Sequence, residues 1–340
     1  MTLPNRQPTI ADVAQKAGVS IATVSRVLNR TAPVTEETTQ RVQTAIEELN
    51  YRPRSAARVL ASRKTYTIGL LLPEISGPFF SPMMRGIEAG AAEAGFDLLV
   101  HTTNVPRPEG TPHRPLGEHN TDGLIVFTDS LDTKELTRLH RIGFPLVLLH
   151  QPSPESLDIP TITVENKSGT EKLISHLIEV HGKRQIAFLR GPDTHMDSTW
   201  RERGYLQALK THNLSFDPTL MAYGGFNEQI AFAAAKQLMG EGVMFDAIFT
   251  GDDESAVGVL SALRQANKRV PEDVAVVGFD DVPFSSYLTP PLTTVRVPIE
   301  QVGSEAVHQL ICLIRGGQVD LEVLLPTELV IRQSCGCQTT

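Results

Sequence analysis

From Tyr66 onward the hydrophobic positions form short continuous runs separated by amphipathic segments. The runs are IGLLLP (68–73), DLLVHT (97–102), GLIVFT (123–128), PLVLLH (145–150), TITVE (161–165), IAFLRG (186–191), AIFTG (247–251) and VAVVGF (274–279). A continuous apolar run predicts a strand buried on both faces, as in a parallel sheet covered by crossover helices. Helical spacing predicts helices over Phe79–Ala94, Asn166–Val180, Thr199–Thr211, Glu228–Gly240, Asp253–Ala266 and Pro298–Ile314. This part of the chain is therefore predicted to be α/β.

The first fifty residues have the pattern of short helices instead. Thr9 and Asp12 have the spacing of a capping box for a helix over Ile10–Lys16, and Gly18 supplies the turn after it. A third helix is expected after Thr35, with an apolar stripe that lies on one face and packs on the other helices. That stripe consists of Val42, Ala45, Ile46 and Leu49.

Between these two lies a helix that Ser20 can cap and that runs from Ile21 to about Leu28. Its apolar face is formed by Val24, Val27 and Leu28, and the residues off that face are Ile21, Ala22, Ser25, Arg26 and Asn29. The apolar face of this helix can pack on the other helices, and the opposite face presents small side chains and one arginine. Such a helix fits a DNA major groove, which is about 12 Å wide. The glycine turn and the two helices together predict a helix-turn-helix, with a plain three-helix bundle as the alternative.

The charge distribution separates the same two parts of the chain. Residues 1–64 hold ten Lys/Arg and five Asp/Glu, a net charge of +5, whereas the remainder holds 21 and 34, a net charge of −13. Residues 49–73 contain no carboxylate but five basic residues, which are Arg52, Arg54, Arg58, Arg63 and Lys64. Beside a helix-turn-helix, such a stretch is expected to contact the phosphate backbone.

The words DVAQKAGVS and IATVSRVLN, followed by ELNYRP and SAARVLAS, closely resemble the LacI/GalR family of bacterial transcription regulators. The resemblance extends over essentially the whole chain. It implies an all-α headpiece (1–52), a hinge helix or linker (53–64), and an α/β periplasmic-binding-protein-like core (65–340) of two Rossmann-like subdomains. The amino-side subdomain is expected at about 66–165 and 294–326, and the carboxyl-side subdomain at about 166–293 and 327–340, so that the chain crosses between them three times.

The resemblance also implies a homodimer on a near-palindromic operator in double-stranded DNA. The residues expected to contact DNA are Thr9, Ser20, Ile21, Ala22, Thr23, Ser25, Arg26, Asn29, Arg54, Arg58 and Leu60. In the family, the segment matching Arg54–Ser62 is a hinge helix that folds on DNA and inserts a leucine, here Leu60, into the minor groove. A plain linker with an incidental leucine is the alternative.

Polar and aromatic residues follow the strands, where ligands of open α/β sheets bind. The residues expected to contact a ligand are Phe79, Phe80, His150, His195, Asp197, Arg201, Phe226, Asp252 and Asp280. Among these, the resemblance matches Arg201 and Asp280 to the family's hydroxyl-binding arginine and aspartate. It also implies that Phe226 is a stacking aromatic and that His195 and Asp197 lie in a loop that adds contacts. Phe79 can instead belong to the core, and Asp253 or Asp281 can cap a helix.

The balance of these side chains is acidic, which favours a neutral sugar as effector, with a nucleoside as runner-up. There are two other hypotheses: a regulator that binds a phosphocarrier protein, and an enzyme that uses two acidic pairs in the cleft. The enzyme is disfavoured because no nucleophile–base constellation or metal-ligand spacing joins the acidic pairs. The sequence has no G-x-x-x-x-G-K-[ST] motif and no G-x-G-x-x-G motif after a strand, so no nucleotide cofactor is expected. No metal is expected either. The protein is expected to be cytoplasmic, without a signal peptide or membrane span.

Three further features are less regular. Cys312, Cys335 and Cys337 make neither a disulfide framework nor a four-ligand zinc set, and spare thiols are favoured over a redox or metal pair. Residues 105–120 carry four prolines where relatives have an amphipathic helix, so a helix there is not expected and dimerisation can differ. The family's Gly-His before the sixth strand is reversed as His181-Gly182, with no consequence evident from the sequence.

Overall fold

The computed structural model describes residues 8–29, 32–51, 64–104, 116–155 and 157–338. The chain divides into two compact units, Met1–Thr65 and Tyr66–Thr340. The predicted DNA contacts Arg54, Arg58 and Leu60 lie outside the described residues, as do residues 105–115 of the Pro-rich segment. Among the helices that are described, none is both long and apolar enough to cross a membrane.

The described part of the first unit consists of the three predicted helices, which pack on one another. Its helices are α1 (Ile10–Ala17), α2 (Ile21–Asn29) and α3 (Glu36–Glu48). The Thr9–Asp12 capping box is present at the start of α1, and Gly18 ends the helix with φ +65°. The guanidinium of Arg41 donates to the carbonyl oxygens of Ala17 (2.6 Å) and Gly18 (3.2 Å), which ties α3 to the turn. This contact satisfies carbonyl groups that a helix end leaves without partners.

The second unit contains two parallel sheets and a small antiparallel pair. Its strands are β1 (Thr67–Leu72), β2 (Asp97–Thr102), β3 (Gly123–Phe127), β4 (Leu146–Leu149), β5 (Thr161–Val164), β6 (Ile186–Arg190), β7 (Met221–Tyr223), β8 (Ala247–Thr250), β9 (Ala275–Val277), β10 (Thr294–Arg296), β11 (Glu322–Leu325) and β12 (Glu328–Val330). Its helices are α4 (Phe80–Ala94), α5 (Thr133–Arg141), α6 (Asn166–His181), α7 (Met196–Thr211), α8 (Glu228–Gly240), α9 (Asp253–Gln265) and α10 (Ile299–Ile314).

The two sheets belong to two Rossmann-like subdomains. The first sheet has the order β11-β5-β4-β3-β1-β2 and the second the order β7-β6-β8-β9, with every pairing parallel. The chain builds the first sheet up to β5, continues into the second, and returns, because α10 packs on β3, β4 and β5 and because β11 pairs with β5. The antiparallel strands β10 and β12 lie on segments that connect the two subdomains.

The eight predicted runs all contain strands, but four expectations about this unit were wrong or incomplete. The run 97–102 was expected to be buried on both faces, whereas β2 is an edge strand whose residues are exposed or half-buried. The strands β7, β10 and β12 have three residues each, too few to give a pattern. Helix α5 was missed because only Leu136 and Leu139 of its residues are buried, and α7 begins at Met196 rather than Thr199.

Candidate functional site

The second helix of the headpiece presents the predicted face to solvent. Val24 is fully buried, whereas Ile21 is 51% exposed and Ala22 and Arg26 are also exposed. Ser20 caps the helix, since its Oγ accepts a hydrogen bond from the Thr23 backbone N–H at 3.1 Å. The surface thus has the composition expected of a helix that reads base edges.

The predicted contacts nearest the helix starts also have structural roles. The hydroxyl of Thr9 donates to Asp12 Oδ2 at 2.7 Å within the capping box. The hydroxyls of Ser20 and Thr23 are 2.9 Å apart. Ser25 is half-buried, and Asn29 is the last residue of α2. Contacts of these residues with DNA remain predictions.

In the second unit, one cavity of about 370 Å³ lies at the carboxyl ends of strands of both sheets. It is lined by all nine side chains predicted to contact a ligand, which are Phe79, Phe80, His150, His195, Asp197, Arg201, Phe226, Asp252 and Asp280. Phe80 begins α4 after β1, His150 follows β4, and Asp252 follows β8. The structure therefore brings these residues together where parallel strands end, the place expected for a ligand.

Arg201 is the central cation of the cavity and is only 3% exposed. Its Nη2 lies 3.1 Å from Asp280 Oδ1, and its Nη1 donates to the carbonyl oxygen of Gly251. Its guanidinium carbon also lies 3.9 Å from the ring centroid of Phe279 and 5.3 Å from that of Phe226. Held by these contacts, the guanidinium is a fixed fork rather than a mobile charge.

Asn166, which the sequence did not single out, bridges Arg201 and Asp197, which lie one turn apart on α7. Its Oδ1 accepts from Arg201 Nε at 2.9 Å, and its Nδ2 donates to Asp197 Oδ1 at 2.8 Å. Asp197 Oδ2 in turn lies 2.7 Å from Nδ1 of His150. Asn166 begins α6 just after β5, where the chain crosses between the subdomains. An amide side chain at this crossing is the feature of the sequence by which Asn166 could have been found.

His150 carries an unsatisfied polar atom into this network. It is 2% exposed, and its Nε2 is buried without a hydrogen-bond partner among the described residues. Because Nδ1 faces a carboxylate, it is assigned the proton in the neutral ring, which leaves Nε2 as an acceptor. A buried polar atom without a partner is costly, and a ligand hydroxyl would satisfy it.

The backbone around the cavity is strained at several lining residues. Asp129, His150, Phe226 and Asp280 have positive φ values of 57°, 55°, 54° and 109°, which non-glycine residues rarely adopt. The ring of Phe226 lies over Gly191, where an added Cβ would come within 2.2 Å of the ring. Such strain concentrates at functional sites, where the surrounding structure holds the residue in place.

Burial dominates the acid–base properties of the cavity. It raises the pKa of Asp252, and it raises the pKa of Asp280 well above its ordinary range despite the opposing charge of Arg201. Burial also opposes ionisation of Asp197, but the contacts with His150, Arg201 and Asn166 outweigh it and lower the pKa of that carboxyl. The pKa of His195 is lowered by burial.

Several lining residues were not predicted. Asp129 follows β3 and lies 3.6 Å from His195, measured between Oδ2 and Nε2. Glu254, in the first turn of α9, has a pKa raised to about 6, mainly by burial and the nearby Asp252. Both add acidic groups to the cavity. Each follows a predicted strand among several neighbouring polar residues, so the sequence did not fix which of them faces inward.

Two aspartates have roles that differ from those considered from the sequence. Asp252, not Asp253, caps α9, accepting from the Ser255 N–H at 3.1 Å. Asp253 is fully buried and accepts hydrogen bonds from the Val282 N–H and from two hydroxyls, those of Ser285 and Thr294. It therefore ties α9 to the loop after β9 and to β10.

Asp281 caps no helix either. Its Oδ2 lies 2.7 Å from Nε of Arg296, and its Oδ1 lies 2.7 Å from Nη2 of Arg332. It therefore joins the loop after β9 to the two segments that carry β10 and the C-terminal residues. Neither Asp253 nor Asp281 lines the cavity.

Comparison with known proteins gives the same division of the chain. Residues 9–54 match the family described as "Bacterial regulatory proteins, lacI family", and residues 174–335 match "Periplasmic binding protein-like domain". The HTH-type transcriptional regulator CelR of Thermobifida fusca is 33% identical over 97% of this chain and 98% of its own length.

Two solved structures extend the comparison. A complex of the regulator CelR with cellobiose is 31% identical, with a TM-score of 0.70 over 96% of this chain and 99% of the other. The lac repressor dimer bound to operator and the anti-inducer ONPF is 28% identical, with a TM-score of 0.82 over 97% and 99%. The chain belongs to the LacI family of bacterial transcription regulators and is a DNA-binding regulator built from a helix-turn-helix headpiece and a periplasmic-binding-protein-like core.

Proposed function

We propose that this chain is a cytoplasmic repressor that binds a near-palindromic operator as a homodimer and is controlled by a neutral sugar in the core cavity. The observation that carries the ligand assignment is the buried Nε2 of His150, which has no hydrogen-bond partner in the described residues and belongs to the cavity wall. An apolar ligand would leave that atom unsatisfied. A ligand hydroxyl would pair with it.

The other polar groups of the cavity suit several hydroxyls on one ring. Asp252 and Asp280 offer acceptor oxygens, while Arg201 has five N–H donors and uses three of them in bonds to Asn166, Gly251 and Asp280. Phe80 and Phe226 supply flat apolar surface beside these groups. A few fixed polar groups within an apolar wall are typical of small-molecule sites.

The charge of the cavity disfavours an anionic ligand. The guanidinium of Arg201 already donates to Asn166, Gly251 and Asp280, so only two of its five N–H groups remain to bind a phosphate. Asp129 and Glu254 add further carboxylates to the lining. An anion would have to be buried beside these groups, which costs several kcal/mol unless a cation accompanies it. The CelR–cellobiose complex, a relative's core with a sugar bound, also favours a sugar over a nucleoside.

For the headpiece, we propose that Ile21, Ala22 and Arg26 contact base edges and that the remaining predicted residues contact phosphates or position the helix. Support comes from the exposure of these three side chains on α2 and from the net charge of +5 on residues 1–64. Two headpieces related by a twofold axis would read two half-sites, which makes the operator near-palindromic.

We infer that the cavity binds its ligand without converting it. Each aspartate predicted to contact the ligand has a structural partner: Asp197 faces His150, Asp252 caps α9, and Asp280 faces Arg201. A catalytic acid or base must be free to exchange a proton with the substrate. Incubation with a bound sugar should therefore return it chemically unchanged.

The test is a thermal-shift screen of neutral sugars, nucleosides and sugar phosphates, followed by calorimetry of every hit. At one hundred times its dissociation constant, a ligand raises the free energy of unfolding by about 2.7 kcal/mol. We expect a neutral sugar to bind the parent and Asp320→Asn, a control that changes an exposed loop residue outside the cavity, but not Arg201→Lys or Asp280→Ala. Tight binding of a sugar phosphate with all neutral sugars inert would overturn the assignment.

A further inference from the structure

A second cluster of chemically reactive side chains lies where the C-terminal segment meets the end of α6. It consists of His176 and His181 from α6 and of Cys335 and Cys337 from the segment after β12. One ligand atom from each residue lies within 4.8 Å of the other three. None of the four lines the cavity described above, so the cluster is separate from the proposed ligand site.

The distances within the cluster match those of a tetrahedral metal site. His176 Nε2 lies 3.7 Å from Cys335 Sγ and 3.6 Å from Cys337 Sγ, and His181 Nε2 lies 3.3 Å from Cys337 Sγ. With Zn–S bonds near 2.3 Å and Zn–N bonds near 2.0–2.1 Å, sulfur and nitrogen ligands of a tetrahedral zinc ion are about 3.5–3.6 Å apart. Three of the six pairs therefore have about this spacing, and all four atoms lie within 4.8 Å of one another.

The surroundings hold one of these ligands, Cys335, in orientation. The hydroxyl of Thr293 donates to Cys335 Sγ at 3.1 Å and itself accepts from the Arg332 N–H at 2.8 Å. A hydrogen bond donated to sulfur is the type of second contact that orients a thiolate ligand. Cys335 is only 1% exposed, so its position is fixed by the protein.

The glycine between the two cysteines allows the close approach. Gly336 has φ +113°, and a Cβ there would lie 3.1 Å from Nδ1 of His181. Gly182, with φ +65°, ends α6 directly after His181. The reversed order His181-Gly182, which had no evident consequence in the sequence, therefore places an imidazole against the Cys-Gly-Cys turn.

We propose that His176, His181, Cys335 and Cys337 bind one Zn²⁺ that fastens the C-terminal segment to α6. Two cysteines and two histidines are a common ligand set of closed structural zinc sites, and two thiolates would balance the charge of the ion. This proposal replaces the expectation that Cys335 and Cys337 are spare thiols. The four-ligand set is not evident in the sequence because the two histidines lie more than 150 residues earlier in the chain.

The protonation of the free cluster is consistent with this role. Burial lowers the pKa of His176 and of His181, which keeps both imidazoles neutral near pH 7, as a metal ligand must be. Burial and the adjacent Cys335 raise the pKa of the Cys337 thiol. A bound divalent cation would stabilise the thiolate that burial disfavours.

The test measures zinc on the full chain, purified under reducing conditions, treated with a chelator and dialysed against Zn²⁺. We expect about one Zn²⁺ per chain in the parent and in Cys312→Ser, which removes the cysteine outside the cluster, and loss of that zinc in Cys337→Ser and His181→Asn. Zn²⁺ should raise the melting temperature only of the first two proteins. Co²⁺ should give the absorption of a tetrahedral thiolate site in the same two.

Three results would overturn the proposal. One is that the reduced parent binds no zinc. A second is that Cys312→Ser loses as much zinc as Cys337→Ser. The third is that Cys335 and Cys337 form a disulfide that persists in the reduced preparation, as detected by mass spectrometry of alkylated protein. Neither ligand nor DNA is present, so the outcome is independent of the proposed regulatory function.

Discussion

His150 Nδ1 and Asp197 Oδ2 lie 2.7 Å apart, and the two residues come from different subdomains. His150 follows β4 of the six-stranded sheet, whereas Asp197 is in the first turn of α7, which packs on α6 and β6. The contact therefore spans the cavity. Any movement that opens the two subdomains has to break this buried hydrogen bond, so ligand binding and subdomain closure are expected to be coupled through His150.

His150→Ala should weaken binding of the neutral sugar at least about tenfold, because it removes a buried acceptor on the cavity wall that has no partner among the described residues, and it leaves Asp197 facing a gap. Calorimetry with the sugar identified in the screen measures the change. His308→Ala, which alters a histidine with a 79% exposed side chain on α10, is the matched control and should bind normally. Equal affinity in the two variants would exclude a role for Nε2.

Gly303→Ala should destabilise the core by about 1–3 kcal/mol, although alanine usually favours a helix over glycine. The reason is the close crossing of α4 and α10, where a Cβ on Gly303 would lie 2.3 Å from the Met83 carbonyl oxygen. Gly240→Ala is the control, since a Cβ there meets nothing within 4 Å. Urea unfolding should show that the two substitutions change the free energy of unfolding in opposite directions or by unequal amounts. Equal stabilisation of both variants would contradict the close approach of α4 and α10.

Asp253→Asn should change the pH dependence of stability. Burial raises the pKa of Asp253 to about 7 in the folded chain, against an ordinary value of 3.8. Between these values the folded state binds more protons than the unfolded state, so this group lowers the free energy of unfolding as pH rises. Relative to the variant, the parent should lose on the order of 1–4 kcal/mol between pH 5 and 8. Chemical denaturation at a series of pH values measures the free energy of unfolding of both proteins. Parallel profiles for the parent and Asp253→Asn would contradict the raised pKa of Asp253.

Arg26→Ala should cost roughly 1–3 kcal/mol of affinity for the operator and little for random duplex DNA, because a bidentate contact to guanine carries sequence information. The operator can be selected from a pool of random duplexes with the parent protein. Arg264→Ala, an exposed arginine on α9, should affect neither affinity. Equal losses on both DNAs would identify Arg26 as a phosphate contact instead.

Local pattern was sufficient to predict much of the architecture. The continuous apolar runs predicted the parallel strands because burial on both faces removes the alternation that a half-exposed strand would have. The capping box at Thr9 was predictable for a similar reason, since both partners lie within one helical turn. Phe79, Phe80, His150, Asp252 and Asp280 were predictable in position because strand ends of parallel sheets converge. The other four cavity residues were expected only from the family resemblance, and they are Arg201, Phe226, His195 and Asp197.

What the sequence did not predict depends on contacts between distant segments. Asn166 has no distinguishing pattern until Arg201 and Asp197 lie on either side of it. Asp253 was considered a helix cap, but its partners Ser285 and Thr294 come from later segments. The same holds for His181, whose position beside Cys337 requires the C-terminal segment to pass the end of α6.

Control of operator affinity by a neutral sugar in the core is what we propose for this protein. The most direct measurement is fluorescence anisotropy of the selected operator, titrated with the parent and with Asp280→Ala, each with and without saturating sugar. Sugar should shift the operator affinity of the parent but not that of Asp280→Ala, and the two proteins should bind the operator equally without sugar. An operator affinity that no neutral sugar changes, but that a sugar phosphate or nucleoside does, would contradict it.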